Sequence, residues 1–269
     1  MVYNQRIGQL RKMIAKKMSQ ISCSACGAPY PGDDTPYLCQ CGGVWDYSQF
    51  PAYSEPDQHQ ECRGLWRYQS SLGLSDDAPI ITLGEGGTPF LAGNFNGVSL
   101  YYKLEGQNPT GSYKDRGSAV LISFLASRGI TEVVEDSSGN AGASLAAYCA
   151  RAGISSRVFI PESASGPKRW QIEQFGARVE RIPGPRANAA AAVLEAAHAG
   201  SIYASHAYMP FGLTGIATIA YEIFEDLGRI PGTLIAPVGH GGLLYGILLG
   251  FESLLAAGLA NKLPHFIGV

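Results

Sequence analysis

The feature that most constrains this chain is an alternation of apolar strands and helices that begins near residue 98 and continues to the final residue. "VSLYYKLE" reads as a strand and "SAVLISFLASRG" as a helix closed by Gly129. The strands "TEVVED", "RVFIP", "ARVERIP", "SIYAS", "TLIAPVG" and "HFIGV" then alternate with helices that include the Ala-rich "NAGASLAAYCARAG" and "GIATIAYEIFEDLG". Such regular alternation predicts right-handed crossovers and parallel sheets wound on both faces, an α/β fold.

Ligands of doubly wound folds collect at the carboxyl ends of strands, in the loops that open helices. Three such loops are unusual here. "EDSSGNAGAS" offers Ser137, Ser138 and Asn140 side chains, with backbone N–H groups at a positive helix terminus that suit a carboxylate. "APVGHGGLLYG" carries Gly239, Gly241 and Gly242, whose amides can approach an oxyanion closely; no Lys-Ser/Thr pair follows, so a phosphate monoester fits better than a nucleotide. His240 in that loop either touches the phosphate or is simply exposed.

The third loop, "NPTGSYKDRG" at 108–117, sets Lys114 at a helix start, where acidic residues are preferred. Taken alone, it is a solvated lysine. Beside a glycine anion cradle and an asparagine-bearing turn, its amine meets the requirements of pyridoxal phosphate: a carbonyl partner, a phosphate site and a donor for the ring hydroxyl.

These motifs, in this order, resemble the threonine synthase branch of the fold-type II (tryptophan synthase β-like) pyridoxal-phosphate enzymes. "LGEGGTPF" at 83–90 and "CSACG…CQCGG" near the N-terminus fit that branch, so the resemblance covers nearly the whole chain. It implies two doubly wound parallel-sheet domains, C-terminally incomplete, after a small zinc-ribbon-like segment. The implied boundaries are a basic helix or leader at 1–20, the zinc-ribbon-like segment at 21–50, a larger domain from 51–117 with 216–269, and a smaller one at 118–215. By the same resemblance Lys114 holds the cofactor and is the catalytic base. Asn140 bonds the ring hydroxyl, and Gly239, His240, Gly241, Gly242 and Leu243 bind the cofactor phosphate. Thr88, Ser137, Ser138, Gly139, Asn140 and Ala141 receive the substrate. The implied reaction is that of a carbon–oxygen lyase, O-phosphohomoserine to threonine and phosphate.

The chain departs from the family pattern in two places. Where that pattern has Asn-Pro-x-Arg before Gly-x-x-Thr, "MPFGLTGIAT" puts Met209 and Gly212 at the Asn and Arg places, and glycine has no planar fork for phosphate. His206 and Lys168 are the residues that could compensate. The sequence also stops at "HFIGV", which leaves the partner of the pyridine nitrogen unassigned. Two alternatives follow: a β-elimination or β-replacement enzyme, like serine/threonine dehydratases or cysteine and cysteate synthases, and a non-catalytic zinc-containing binding protein.

Cys23 and Cys26 stand as C-x-x-C, and Cys39 and Cys41 as C-x-C, in a stretch short of apolar residues. Four thiolates would give structural zinc a closed tetrahedral site and replace the missing core. The other reading is four free thiols in a flexible arm. Cys149 reads as core, Cys62 as unpaired, and Trp45, Trp66 and Trp170 as packing residues. Residues 47–79 read as a linker packed on the next domain.

The remaining composition mainly excludes. With 46% apolar and 16% charged residues the chain folds, and a net charge of −2 gives no electrostatic reason to bind nucleic acid or an acidic membrane. No apolar run reaches the roughly 20 residues that span a bilayer. The partner expected is a small amino-acid substrate, with a second copy of the chain in a homodimer. Six cysteines in this length favour a reducing, cytoplasmic setting. The basic amphipathic start, with Ile7, Leu10, Ile14 and Met18 at helical spacing, is either a surface helix or an organelle-targeting peptide.

Overall fold

The computed structural model describes residues 20–56 and 64–269. The expected basic helix or leader and Cys62 lie outside the described residues. Short antiparallel strands β1 (Ile21–Cys23) and β2 (Trp45–Tyr47) frame the cysteine segment. A kinked 3-10 stretch, Gly64–Ser71, then buries Leu65, Trp66 and Tyr68, so the second half of the expected linker belongs to the core. Strands β3 (Phe90–Phe95) and β4 (Val98–Lys103) form an antiparallel hairpin that the alternation pattern missed. Its local signal is Asn96-Gly97, both at positive φ (51° and 81°), the two-residue turn whose twist matches that of paired strands.

From there the alternation holds: α1 (Lys114–Ser127), β5 (Glu132–Glu135), α2 (Asn140–Ala152), β6 (Ser155–Pro161), α3 (Pro167–Gln174), β7 (Arg178–Ile182), α4 (Arg186–His198), α5 (Gly212–Leu227), β8 (Thr233–Ala236), α6 (Gly242–Ala256) and β9 (His265–Gly268). Helices α2 and α5 end on Gly153 and Gly228 at φ 70° and 65°, the left-handed cap that only glycine adopts without strain.

Strands β5, β6 and β7 form a parallel sheet in that order. Period-two alternation along β6 divides its side chains between two layers. Val158 and Ile160 pack with Ala143 and Ala146 of α2 and Ile172 of α3, while Phe159 joins Val193 of α4 and Tyr203. Both faces of this sheet are therefore covered, and truncating the fully buried Ile172 to alanine would cost about 2–5 kcal/mol.

Three expectations need correction. "SIYAS" is reduced to a single parallel bridge, Tyr203 to Val134, because only Val134 N–H to Ile202 O (2.8 Å) and Ala204 N–H to Val134 O (3.0 Å) join it to β5. Strands β8 and β9 pair in parallel, but Leu234 and Ala236 meet α5 and α6 on one face only, and Ile235 on the other is 58% exposed. Trp170, expected to pack, is 62% exposed on α3, whereas Trp45 and Trp66 are buried.

The glycines of α5 let it approach α1 closely. A Cβ at Gly212 would lie 3.1 Å from the Gly117 carbonyl oxygen, and one at Gly215 would collide with the Arg116 carbonyl. At the crossing Arg116, fully buried, donates to both oxygens of Glu222 and both of Glu105 at 2.7–2.8 Å. Lys103 adds 2.8 Å to Glu222, so two cations face two carboxylates and no charge is left bare.

Candidate active site

Lys114 opens α1, and the loop before it is clamped from two sides. The Asp115 carboxylate accepts the Thr110 N–H at 2.7 Å and the Thr110 hydroxyl, while Lys168 Nζ donates to the Thr110 carbonyl at 2.7 Å. Gly111 takes φ 85° to make the turn. Asn108 ties the loop to residues 83–88 by accepting the Gly86 N–H at 3.0 Å. Asp115 therefore serves the loop, and the lysine beside it is free to face inward. Burial lowers the Lys114 amine to about 8, against a smaller opposing pull from the Glu135 carboxylate. An amine so placed is partly neutral near physiological pH, as a proton-transferring group needs to be.

The second loop folds back over the first turn of α2. A Cβ at Gly142 would collide with the Ser137 carbonyl, which explains the glycine, and the Gly139 N–H turns to Ser137 Oγ at 3.3 Å. Asn140 begins the helix with its side chain exposed, and Ala141 behind it is buried. In the third loop Gly241 has φ 95° and opens α6. Nothing lies within 4 Å of a Cβ built at Gly239 or Gly241, so their amides border open space. Burial, and then the charges of Lys114 and His206, push His240 below its usual value, so it is neutral at pH 7.

The three loops meet. Lys114, Ala141, His240 and Gly242 line one cleft of about 40 Å³. A buried hydroxyl near this lysine, Ser112 Oγ, has no hydrogen-bond partner. Of the expected site residues, Ser137, Ser138, Gly139, Asn140, Gly239, Gly241 and Leu243 belong to the loops that reach this cleft but do not themselves line it. An amine of lowered pKa, a helix start at Ala141 and a glycine turn at Gly242 on one cleft are what pyridoxal phosphate requires, so the residues fit that group. Thr88 is placed elsewhere: its hydroxyl donates to Glu105 at 2.7 Å and accepts from Arg116 at 3.2 Å, and it does not line the cleft. Lys168 is spent on Thr110, whereas His206 does reach the cleft.

Sequence reasoning missed Glu135, which also lines the cleft. Its signal was an acid directly after Val133-Val134 in a strand whose neighbours are buried on both faces.

The four cysteines gather in the segment framed by β1 and β2. Their sulfurs all lie within 4.8 Å of one another, with Cys23 to Cys41 at 3.5 Å and Cys26 to Cys39 at 3.7 Å. A tetrahedral zinc–thiolate site with bonds near 2.3 Å places its sulfurs about 3.8 Å apart, so the set fits the metal. Tyr30 of the same segment stacks edge-on against Phe211 at 5.1 Å, next to Gly212 of the cleft wall.

A parallel α/β fold whose strand-end loops bring one lysine to a glycine-rich turn defines a class of cofactor enzyme. The chain belongs to the pyridoxal-phosphate dependent enzymes, whose family model matches residues 81–269. Within that family it is 37% identical over 260 residues to the threonine synthase of Methanocaldococcus jannaschii, covering 92% of this chain and 64% of that protein. It is 35% identical over 265 residues to that of Methanosarcina acetivorans, covering 94% of this chain and 64% of the relative. The chain thus spans about two-thirds of the length of each. Among solved structures, an O-acetylserine dependent cystathionine beta-synthase from Helicobacter pylori superposes with a TM-score of 0.59 at 26% identity, covering 68% of this chain and 63% of that one. Among the described residues no helix is long and apolar enough to cross a membrane.

Proposed function

We propose that this chain is a pyridoxal-phosphate dependent carbon–oxygen lyase of the threonine synthase kind, acting on an amino acid with a leaving group on its β or γ carbon. O-Phosphohomoserine is the reference substrate, from the likeness to the threonine synthases above. The observation that carries this reading is Lys114, its amine lowered to about 8 and set in the same cleft as Gly242 and Ala141. When bound, pyridoxal phosphate supplies an electron sink for negative charge developing at the substrate Cα. In this reading the amides of Gly239 to Leu243 hold the cofactor phosphate, and Asn140 bonds the ring hydroxyl. Ser137, Ser138 and the amides at the start of α2 orient the substrate carboxylate, with Thr88 in support through the Arg116 network. Lys114 Nζ takes and returns the proton at Cα.

Cys23, Cys26, Cys39 and Cys41 hold structural zinc in this reading, as a zinc-ribbon-like segment at 21–50 that props the cleft wall through Tyr30. The cleft then lies between a lobe of 51–117 with 216–269 and a lobe of 118–215. A homodimer in the cytoplasm completes the reading. The aromatic hairpin, with Phe95 62% and Tyr101 54% exposed, is the kind of surface a second copy covers. A β-elimination or β-replacement reaction is the second reading, favoured by the Glu135 carboxylate and the apolar side chains that line the cleft with Lys114.

The test is spectroscopic. Purified chain mixed with pyridoxal phosphate gains a visible band above that of the free cofactor, and Lys114→Ala abolishes it. Metal analysis finds one zinc per chain. A chain that carries zinc but gains no band is a binding protein rather than an enzyme.

A further inference from the structure

One buried core joins the cysteine segment to the cleft. Cys23, Tyr30, Cys39 and Trp45 pack in the same cluster as Leu121, Leu145, Ala204 and Met209, which line the cleft. Of the cleft wall, the stretch 203–212 is held least by the sheet, since its backbone pairing with β5 is a single bridge, Tyr203 to Val134. Rings of the cysteine segment support it where a strand ladder would: Tyr37 meets Tyr203 at 5.2 Å and Tyr208 at 5.7 Å, and Tyr30 meets Phe211 at 5.1 Å.

The same segment reaches both helices that open at the cleft. Arg128, at the far end of α1 from Lys114, donates to the carbonyls of Pro31 and Gly32 and lies over the Phe124 ring at 5.2 Å. The Tyr245 hydroxyl, in the first turn of α6, donates to Asp46 at 3.3 Å. The segment's own order depends on its sulfurs. Its strands pair over only three residues each, and Gly43 is glycine because a Cβ there would fall on Cys23 Sγ and crowd Cys41 Sγ at 3.3 Å. Reduced thiols alone form no cross-link, so in such a segment metal binding and ordering are one equilibrium. Whatever orders the segment then orders the wall, and a coupling of this kind runs both ways.

We propose that zinc at Cys23, Cys26, Cys39 and Cys41 is an allosteric ligand of the cleft: its occupancy sets the affinity for pyridoxal phosphate, and Tyr30 and Tyr37 are the positioning residues that carry the effect to the 203–212 wall. This rests on the zinc and Lys114 assignments above and goes beyond them, because a metal that only closed its own segment would leave cofactor binding unchanged. With zinc bound, the two rings hold Ala204, Met209 and Gly212 in the cleft lining. With zinc lost, the wall keeps its one bridge to β5, and the cofactor is held less tightly.

The experiment titrates the full chain with pyridoxal phosphate, read from the absorbance band, and follows zinc with a chromogenic chelator. Stripping zinc under reducing conditions should weaken cofactor binding about tenfold, an ordinary coupling between two sites, and resupplied zinc should restore it. Linkage requires the same factor in reverse, so cofactor-loaded chain should hold zinc about tenfold more tightly than cofactor-free chain. Tyr37→Ala keeps all four sulfurs and should retain its zinc, yet bind cofactor about threefold more weakly, the scale of one lost aromatic pair. Tyr37→Phe keeps the ring and should bind as the unaltered chain does. Gly43→Ala should lose zinc and reproduce the stripped state with every thiol present. Cofactor affinity indifferent to zinc, zinc affinity indifferent to cofactor, or full cofactor affinity in Tyr37→Ala overturns the proposal. So does a stripped chain that loses its α/β circular dichroism, since the metal would then hold the whole fold rather than one wall. A chain that takes up no zinc overturns it at the cysteines, and a zinc-loaded chain without the band overturns it at Lys114, so each failure is recognised by its own signal.

Discussion

Glu222 and Glu135 are equally hidden from water and differently treated. Glu222, 2% exposed, receives Arg116 on both oxygens, Lys103 and the Gly87 N–H, and although burial pushes its carboxyl up, these cations prevail and hold it at about 2. Glu135, 1% exposed, has His206 on one oxygen and nothing on the other. Burial of a charge is tolerable when every lone pair is used, and such a group belongs to the framework. A buried charge left half-used, on the wall of a cleft, is a group kept for something that arrives.

The largest effect that could break this contrast is on stability. Arg116→Leu leaves Glu222 and Glu105 without their fork and should cost about 3–5 kcal/mol in denaturant unfolding; a loss below about 1 kcal/mol would mean the network is ornamental. Acid should act on the same framework. The folded pKa of Glu222, about 2, lies below its ordinary 4.5, so its contribution is full at neutral pH and is lost as pH falls from about 4.5 to 2. That shift corresponds to about 3 kcal/mol, read from unfolding free energy against pH. Glu135→Gln should behave oppositely and change stability by less than about 1 kcal/mol, since it removes no filled hydrogen bond at Oε2. An equal loss in the two variants would erase the distinction. The smallest effect is the most local. Amine labelling of cofactor-free chain should show Lys114 half-reactive near pH 8, and Glu135→Gln should move that midpoint lower, because the carboxylate holds it up.

The sequence made the three strand-end loops legible because each is local: a turn, a few small residues and a helix start within ten positions. Lys114, Asn140 and Gly239 to Gly242 all follow from that kind of signal, as do the glycine caps at Gly153 and Gly228. The Arg116 network was not legible, since it joins residues 105, 116 and 222, which no window contains together. Thr88, which the resemblance gives to the substrate, is drawn into the same network through Glu105 and Arg116. The Glu135–His206 pair spans 71 positions and depends on one bridge replacing a strand. The Asn96-Gly97 hairpin is written in the sequence, but its antiparallel pairing falls outside the parallel alternation of the rest.

The central claim is that the Lys114 amine is the group that meets the cofactor aldehyde. Borohydride reduction of the loaded chain, followed by digestion and peptide mass analysis, tests it most directly. The added cofactor mass should fall on the peptide carrying Lys114 alone; the same mass on Lys103 or Lys168, or spread across surface lysines, would contradict the assignment.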